Sequence, residues 1–309
     1  MLRKLILLTL LIGMLAACSP QAAEPVTEPA GDATITVTDG LSRQVTLNGP
    51  AQRIVSLAPS NTEILFAIGA GDQVVGRDQL SDFPPEAASV TDIGTTFDTL
   101  NTESIVSLQP DLVLAAEINT PEQVKQLEDL GLTVYYLKNP LTLEGMYDNL
   151  EIVAQLTGHT EEAAALIESL KVRVAAVDEK IAPLSSRFSV FYELDATDPA
   201  KPFTAGKGTF ITQLIDRAGG YNIASELEGY PQMSLEQVVA ADPAFIILGD
   251  ARYGVTPESI AERPGWENLS AVKNGQVLPF NDDLVSRPGP RLVDALEELA
   301  KLLRPELFE

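Results

Sequence analysis

The sequence predicts an α/β fold with two lobes of similar build, each containing a mostly parallel β-sheet, joined by a single long α-helix. A repeated segment carries most of this prediction. Residues 103–115 read ESIVSLQPDLVLA and residues 236–248 read EQVVAADPAFIIL, so one pattern recurs 133 positions along the chain. Three of the thirteen aligned positions are identical, and the alternative is that a helix–Pro–strand unit recurs by chance.

Each repeated segment combines a short helix with a buried strand. Pro110 and Pro243 disfavour the helical conformation of the residue before them, so they end the helix. The apolar run that follows has no polar alternation, which is typical of a parallel strand covered on both faces. The two halves of the chain therefore place Glu103 and Glu236 at the starts of corresponding helices.

The first lobe is predicted from alternating strand-like and helix-like stretches. Residues 34–47 alternate as a small hairpin, and residues 53–58 form an apolar strand. A helix at 59–68 follows, with Ser60 or Asn61 as its cap. Further elements are strands at 73–76, 111–115 and 133–137 and a helix at 121–130. This β-α-β alternation predicts a mostly parallel sheet with helices on both faces.

One long helix is predicted in the middle of the chain. From Thr160 to Ile181, apolar residues recur at spacings of three and four, which indicates an amphipathic helix. Thr160 is the predicted cap, Glu161 stabilises the positive end, and Pro183 stops the helix. At 1.5 Å per residue this helix is roughly 35 Å long, enough to reach from one lobe to another.

The second lobe repeats the order of the first. Its predicted strands and helices lie at 187–194, 208–217, 234–248, 276–280 and 291–303. We therefore divide the chain into a signal peptide, a tether, an N-terminal lobe, a linking helix and a C-terminal lobe, at residues 1–17, 18–33, 34–158, 159–184 and 185–309.

The N-terminus carries the features of a bacterial lipoprotein signal. Arg3 and Lys4 precede an apolar run that is too short for a permanent membrane helix. The run ends in Leu-Ala-Ala-Cys, which matches a lipobox, so Cys18 is expected to be lipidated after cleavage. The alternative is an ordinary signal whose cleavage site happens to precede a cysteine. The Pro-, Ala- and Glu-rich residues 19–32 then form a flexible tether.

Composition excludes several classes of function. The formal net charge of −23 makes nucleic acid a poor partner. Cys18 is the only cysteine and His159 the only histidine, so disulfides, zinc–thiolate sites, metal cofactors and Ser-His-Asp or Cys-His catalysis are not expected. Acidic pairs such as Asp282–Asp283 are typical of solvated faces in so acidic a chain. The missing His and Cys machinery favours a binding protein without a cofactor, which we expect to be a monomer, over a membrane-anchored hydrolase or chelatase.

The chain resembles a known family through several segments in order. They read RIVSLAPSNTEILFAIGAGDQVVG from residue 53, SDFPPEA at 81–87, ESIVSLQPDLVLA, PFTAGKGTF at 202–210 and RPGPRLVDALEEL at 287–299. Together they resemble the substrate-binding lipoproteins of iron–siderophore and cobalamin ABC importers, the class III periplasmic binding proteins. The resemblance covers nearly everything from Arg53 onward and implies two Rossmann-like lobes joined by one rigid helix.

The resemblance also implies partners. In this family the ligand binds between the lobes, and one exposed Glu from each lobe docks onto arginines of the permease, which works with its ATPase. Glu103 and Glu236 stand at those positions. The alternative is that each Glu only stabilises the start of its helix. With Cys18 anchored in the membrane, the protein would act on the extracytoplasmic side of the bacterial cell membrane.

The ligand is less specified than the family. The predicted ligand-binding residues, from both lobes, are Leu80, Phe97, Tyr230, Asp282 and Arg287. Aromatic contacts and the segments SDFPPEA and Tyr230-Pro231-Gln232 favour a corrinoid, although Ala116 stands where a further aromatic is expected. A ferric siderophore, held by Arg287 or Arg291, is the alternative. Haem is disfavoured because Thr95 and Thr96 stand where haem-binding relatives carry Tyr or His.

Overall fold

The structure is a computed structural model that describes residues 34–97 and 99–308. The predicted signal peptide, Cys18 and the tether lie outside these residues. The strands are β1 (Ile35–Thr38), β2 (Gln44–Leu47), β3 (Ile54–Ser56), β4 (Val74–Arg77), β5 (Leu112–Ala116), β6 (Val134–Leu137), β7 (Phe188–Glu193), β8 (Gly220–Asn222), β9 (Phe245–Leu248) and β10 (Val277–Pro279). The helices are α1 (Pro59–Ala67), α2 (Thr102–Ser107), α3 (Pro121–Asp129), α4 (Leu143–Thr157), α5 (Thr160–Ile181), α6 (Phe210–Arg217), α7 (Leu235–Ala241), α8 (Pro257–Ala261), α9 (Ser270–Lys273), α10 (Asp283–Ser286) and α11 (Leu292–Leu303).

Two four-stranded sheets have the same topology. The first has the order β4-β3-β5-β6 and the second the order β8-β7-β9-β10, and every pairing in both is parallel. In each sheet the first two strands in sequence lie on one side and the third and fourth on the other. The hairpin β1–β2 is the antiparallel exception. The predicted fold class, two α/β lobes of similar build, is confirmed.

Helix α5 contacts both lobes. Its buried residues, Ala163, Ile167, Leu170, Val174, Val177 and Ile181, keep the predicted spacing. It packs on α4 at one side and on α6 and α11 at the other. Arg173 of α5 forms a two-pronged ion pair with Glu297 of α11, at 2.9 and 2.8 Å, and Asp178 pairs with Arg217 of α6. At about 1.5 Å per residue α5 spans ~33 Å and connects the two lobes. The numerical lobe boundaries remain a prediction.

The two faces of each sheet contribute to different apolar cores. Ile54 of β3 and Tyr192 of β7 belong to one shared core that also contains the buried face of α5. Val55, the next residue of β3, points into a core confined to the first lobe, and Phe191 into a core confined to the second. Burial on both faces explains why the strands read as uninterrupted apolar runs.

Several local predictions were wrong or incomplete. Ser60 and Asn61 do not cap α1: the cap position is Ala58, without a side-chain hydrogen bond, and Asn61 instead donates to the Leu114 carbonyl at 3.0 Å. Thr160 is the first residue of α5 rather than its cap. Helix α4 and the short strand β8 were not predicted. Within the residues that the structure describes, no helix is both long and apolar enough to cross a bilayer.

Candidate functional site

The candidate site is a cleft between the lobes, at the carboxyl ends of the parallel strands. The first lobe contributes Pro59, Ser60, Leu80, Phe97, Ile118 and Asn139. The second contributes Arg252, Tyr253, Asp282, Asp283, Ser286 and Arg287. The cleft has a volume of ≈ 310 Å³, at the lower end of the range for small-molecule sites. Open α/β sheets bind ligands at this edge, where the strand order reverses.

Apolar and aromatic side chains form much of the cleft surface. Phe97 is 52 % exposed and Tyr253 80 % exposed, although both have large apolar rings, and Leu80 and Ile118 are also exposed. They come from loops of both lobes. Exposed apolar side chains gathered in one concave surface are typical of a binding site rather than of ordinary protein surface.

Four of the five predicted ligand residues line this cleft: Leu80, Phe97, Asp282 and Arg287. Tyr230 does not line it directly. Burial and the negative charges of Asp282 and Glu117 raise the pKa of the Tyr230 phenol, so its hydroxyl is within electrostatic range of a carboxylate from each lobe. The structure brings the predicted residues together, and their binding roles stay a prediction.

Asp282 is held in place from within the second lobe. The hydroxyl of the buried Tyr192 donates to Asp282 Oδ1 at 2.7 Å. Burial raises the pKa of the Asp282 carboxyl. Asp282 is therefore a positioned, partly buried acceptor rather than a member of the solvated acidic pair that composition suggested.

Arg287 is engaged in ion pairs across the cleft floor. Its guanidinium lies 2.5 Å from Asp82 and 3.3 Å from Glu63, both in the first lobe, and 3.3 Å from Asp283. Arg291 donates two hydrogen bonds to Glu63, at 2.7 and 2.5 Å. Glu63 is almost fully buried. Its carboxylate lies between two arginines of the opposite lobe. We call Glu63, Arg287 and Arg291 the inter-lobe ion cluster.

Neither cleft arginine is free to bind an anion. Arg287 is committed to the inter-lobe ion cluster, and Arg252 pairs with Asp283 and lies over the Tyr253 ring at 5.6 Å. A carboxylate, Glu117, adds negative charge near the rim. Among the described residues the cleft surface therefore combines apolar side chains with carboxylates and with arginines that are already paired.

A second cavity adjoins the cleft in the second lobe. It has a volume of ≈ 510 Å³ and is lined by two loops, one following β7 and the other following β9. Tyr253 lines both spaces. Burial and the nearby charge of Glu193, which itself pairs with Arg263, raise the pKa of Asp250 in this cavity to about 7.

Glu103 and Glu236 lie on equivalent helices, each preceding the third strand of its sheet. Asn101 caps α2 and Ser234 caps α7 through the same side-chain contact, to the backbone N–H three residues on. Both glutamates are exposed in the first turn. Backbone N–H groups at the start of α7 lower the pKa of Glu236. The repeated sequence thus produces two matching acidic helix ends.

Sequence reasoning missed Glu63, Ile118, Asp250, Arg252 and Tyr253. For Asp250 and Tyr253 a signal existed, because both closely follow the apolar run of β9, and residues after parallel strands reach the ligand edge of the sheet. Glu63 offered no such signal, since its partners are more than 200 residues away.

Comparison with known proteins places the chain in a family. A family model described as periplasmic binding protein matches residues 54–284. The chain is 35% identical over 280 residues to the uncharacterized ABC transporter substrate-binding lipoprotein YvrC of Bacillus subtilis, covering 89% of this chain and 87% of YvrC.

Two solved structures show a similar fold. The periplasmic vitamin B12 binding protein BtuF of Vibrio cholerae matches with a TM-score of 0.71 and 31% identity, covering 84% of this chain and 99% of BtuF. The periplasmic heme-binding protein RhuT from Roseiflexus sp. RS-1 matches with a TM-score of 0.74 and 28% identity, covering 83% and 99%. The resemblance found in the sequence motifs is confirmed, and the chain belongs to the periplasmic binding protein family.

Proposed function

We propose that this protein is the extracytoplasmic substrate-binding lipoprotein of an ABC importer and captures a corrinoid in the inter-lobe cleft. The proposal of a corrinoid rests on the surface of the cleft. It has apolar rings from both lobes, carboxylate acceptors and no unpaired arginine among the described lining residues. A corrinoid has a flat, largely apolar macrocycle with neutral amides around it, so it suits such a surface. A relative that binds vitamin B12 supports the same assignment.

The main alternative is a ferric siderophore. Many such chelates are anionic, and binding one here would require Arg287 to leave Asp82 and Glu63. Haem meets a similar obstacle, because its propionates are anionic and both arginines that line the cleft are already paired. Thr95 and Thr96 also supply no iron ligand, and Thr96 is buried and donates to the Leu57 carbonyl. The cleft thus favours a neutral or cationic ligand over an anionic one.

Titration calorimetry against cyanocobalamin, cobinamide, ferrichrome, ferric enterobactin and haemin tests the ligand. We expect tight binding of the two corrinoids only. Phe97→Ala and Tyr253→Ala should each weaken corrinoid binding by roughly 10-fold or more, since a large buried ring contributes about 1.5–3 kcal/mol. Tyr221→Ala is the matched control, because Tyr221 is 48 % exposed and lies on β8, outside the cleft lining. Binding of a siderophore without any corrinoid would replace this proposal with the alternative.

The proposal includes a lipid anchor at Cys18, supported by the lipobox and by the name of the relative YvrC. Cells expressing the protein should incorporate labelled palmitate into it and retain it in the membrane fraction. Cys18→Ala should abolish both. Membrane retention of Cys18→Ala without label would show that something other than lipidation holds the protein there.

Docking to the permease would use the matching starts of α2 and α7. Each presents an exposed Glu and, one turn later, an exposed Val: Glu103 with Val106, and Glu236 with Val239. Residues three apart on a helix are neighbours, so each acidic group has an apolar side chain beside it. Two equivalent patches suit a partner with two equivalent cationic sites, and the acidity of the chain suits a cationic partner.

A further inference from the structure

The cavity next to the cleft lies where the topology of the second sheet directs a ligand. Its lining loops follow β7 and β9, which are neighbours in the sheet order β8-β7-β9-β10. From β7 the chain first runs to β8 on one side and then returns to β9 on the other. Between these two strands is the topological switch point, the usual ligand position in open α/β sheets. Tyr253 lines both spaces, so the cavity lies directly beside the cleft.

The cavity contains a buried carboxylate that lacks one partner. Asp250 is 4 % exposed, and its Oδ2 accepts a hydrogen bond from the Ala196 N–H at 3.0 Å. Its Oδ1 is buried without a hydrogen-bond partner among the described residues. Leaving a buried polar atom unpaired costs about 1–3 kcal/mol. Because Asp250 lines the cavity, a group of a bound ligand is one way to supply the missing partner.

A second carboxylate, Asp195, stands at the exposed side of the same cavity. Its Oδ1 accepts from the backbone N–H and the hydroxyl of Thr197, both at 2.6 Å, and these bonds lower its pKa. Asp195 therefore remains ionised at neutral pH. The other lining residues, Leu194, Ala196, Thr197, Tyr253 and Val255, bring no positive charge.

These groups suit a hydrogen-bond donor, and among the groups of a corrinoid they suit a primary amide. Its N–H groups donate to ionised carboxylates, and its carbonyl accepts from a protonated one. With its pKa raised to about 7 by burial and by Glu193, against the opposing charge of Arg263, Asp250 populates both forms near neutral pH. A ligand carboxylate would instead be repelled by Asp195 and could pair with Asp250 only when one of them is protonated.

We propose that this cavity is a subsite for a peripheral primary amide of the bound corrinoid, held by Asp195 and Asp250. The inference rests on the proposed function and deepens it: the protein would distinguish intact corrinoids from those whose amide is hydrolysed to a carboxylate. Asp195 and Asp250 would then determine specificity, whereas the aromatic walls of the cleft supply most of the affinity.

The test compares cyanocobalamin with its monocarboxylic acid isomers, in each of which one peripheral amide is a carboxylate. Wild-type protein should bind at least one isomer roughly 10-fold or more weakly than cyanocobalamin, the effect of losing about one hydrogen bond and adding repulsion. Asp195→Asn and Asp250→Asn should each weaken the binding of cyanocobalamin several-fold and strengthen the binding of that isomer. The ratio of the two dissociation constants should therefore become smaller. Asp198→Asn, an exposed change in the same loop but outside the cavity lining, should leave the ratio unchanged.

A merely structural defect would weaken the binding of both ligands, so it would not lower the affinity for one and raise the affinity for the other. Asp195 is exposed, so Asp195→Asn keeps the test valid even if Asp250→Asn unfolds. An unchanged ratio in Asp195→Asn, with corrinoid still bound, overturns the amide subsite and leaves the proposed function standing. Failure of wild-type protein to bind any corrinoid overturns both.

Discussion

Glu63→Ala is expected to destabilise the protein by about 3–5 kcal/mol, because it leaves the buried Arg287 and the half-buried Arg291 without their common partner. Arg291 loses both of its hydrogen bonds to Glu63, and Arg287 loses one of three carboxylate neighbours. Domains are typically stable by only about 5–15 kcal/mol. The thermal unfolding midpoint should therefore fall by roughly 10 °C.

The position of the inter-lobe ion cluster gives this variant a second readout. Glu63 belongs to the first lobe, whereas both arginines follow β10 in the second, so the cluster ties the lobes together on the floor of the cleft. The adjoining backbone reinforces it, since Gly289 lies beside Ser60 and Ile64 of α1. Solution scattering of Glu63→Ala should show a larger radius of gyration than wild-type protein if the lobes separate around α5.

Two variants separate the loss of the cluster from a general loss of charge. Glu161→Ala removes an exposed glutamate in the first turn of α5 and should change the free energy of unfolding by less than ~1 kcal/mol. Glu63→Leu combined with Arg291→Leu replaces the buried pair by apolar side chains and should recover much of the stability lost in Glu63→Ala. Wild-type stability in Glu63→Ala would show that the cluster does not hold the lobes.

The fold was predictable because its signals are local. The repeated segments keep their correspondence down to the backbone: Gln109 and Asp242, at the same place in each repeat, both adopt positive φ, 48° and 42°. Each stands just before the proline that follows its helix, and both share a positive φ in place of the extended conformation that is usual before proline. A pattern with three identities therefore encodes one conformation twice.

Helix α4 was not predicted, although the spacing of its apolar residues is helical. Its buried residues, among them Leu143, Met146, Leu150 and Ala154, recur at helical spacing, and Gly158 ends it in a left-handed turn. The signal was present in the sequence. The inter-lobe ion cluster is different, since Glu63 and Arg291 are 228 positions apart and nothing local pairs them.

The site was predictable only as a collection of residues. The resemblance supplied Leu80, Phe97, Asp282 and Arg287, and the structure gathers them in one cleft. It did not reveal that Arg287 is already paired with Glu63 and Asp82. An unpaired Arg287 would attract an anionic ligand, whereas the paired Arg287 does not. This pairing forms between side chains of the two lobes that are far apart in the sequence. It can therefore be recognised only once the fold is known.

Charge reversal of both Glu103 and Glu236 is expected to abolish most uptake while leaving ligand affinity unchanged. Truncating one member of a charge pair that becomes buried and hydrogen-bonded at an interface costs about 2–5 kcal/mol, and reversal adds repulsion from the partner's cations. Each single change to Lys should therefore weaken permease binding by roughly 30-fold or more, since 1.4 kcal/mol is a factor of ten. The double variant should be worse than either, because two contacts on one rigid body act together.

The adjacent valines provide a finer test of the same surfaces. Val106→Thr and Val239→Thr keep the shape of each side chain and add a hydroxyl where an apolar contact is proposed. At 40 % and 39 % exposure neither valine is needed for the core, so both variants should fold and bind ligand normally. Each should weaken permease binding by several-fold, less than the glutamate variants do.

The decisive control reverses the charge of first-turn glutamates on helices that are not proposed to contact the permease. Glu161→Lys and Glu258→Lys reverse exposed first-turn glutamates of α5 and α8, so they share any helix-dipole effect of about 0.3–1 kcal/mol but not the docking position. Ligand affinity, permease binding in detergent and uptake in cells should be measured for all variants side by side. If Glu103→Lys with Glu236→Lys transports as well as these controls, the repeated glutamates only stabilise their helices, and the two lobes owe their matching acidic helix ends to ancestry of the fold rather than to a shared partner.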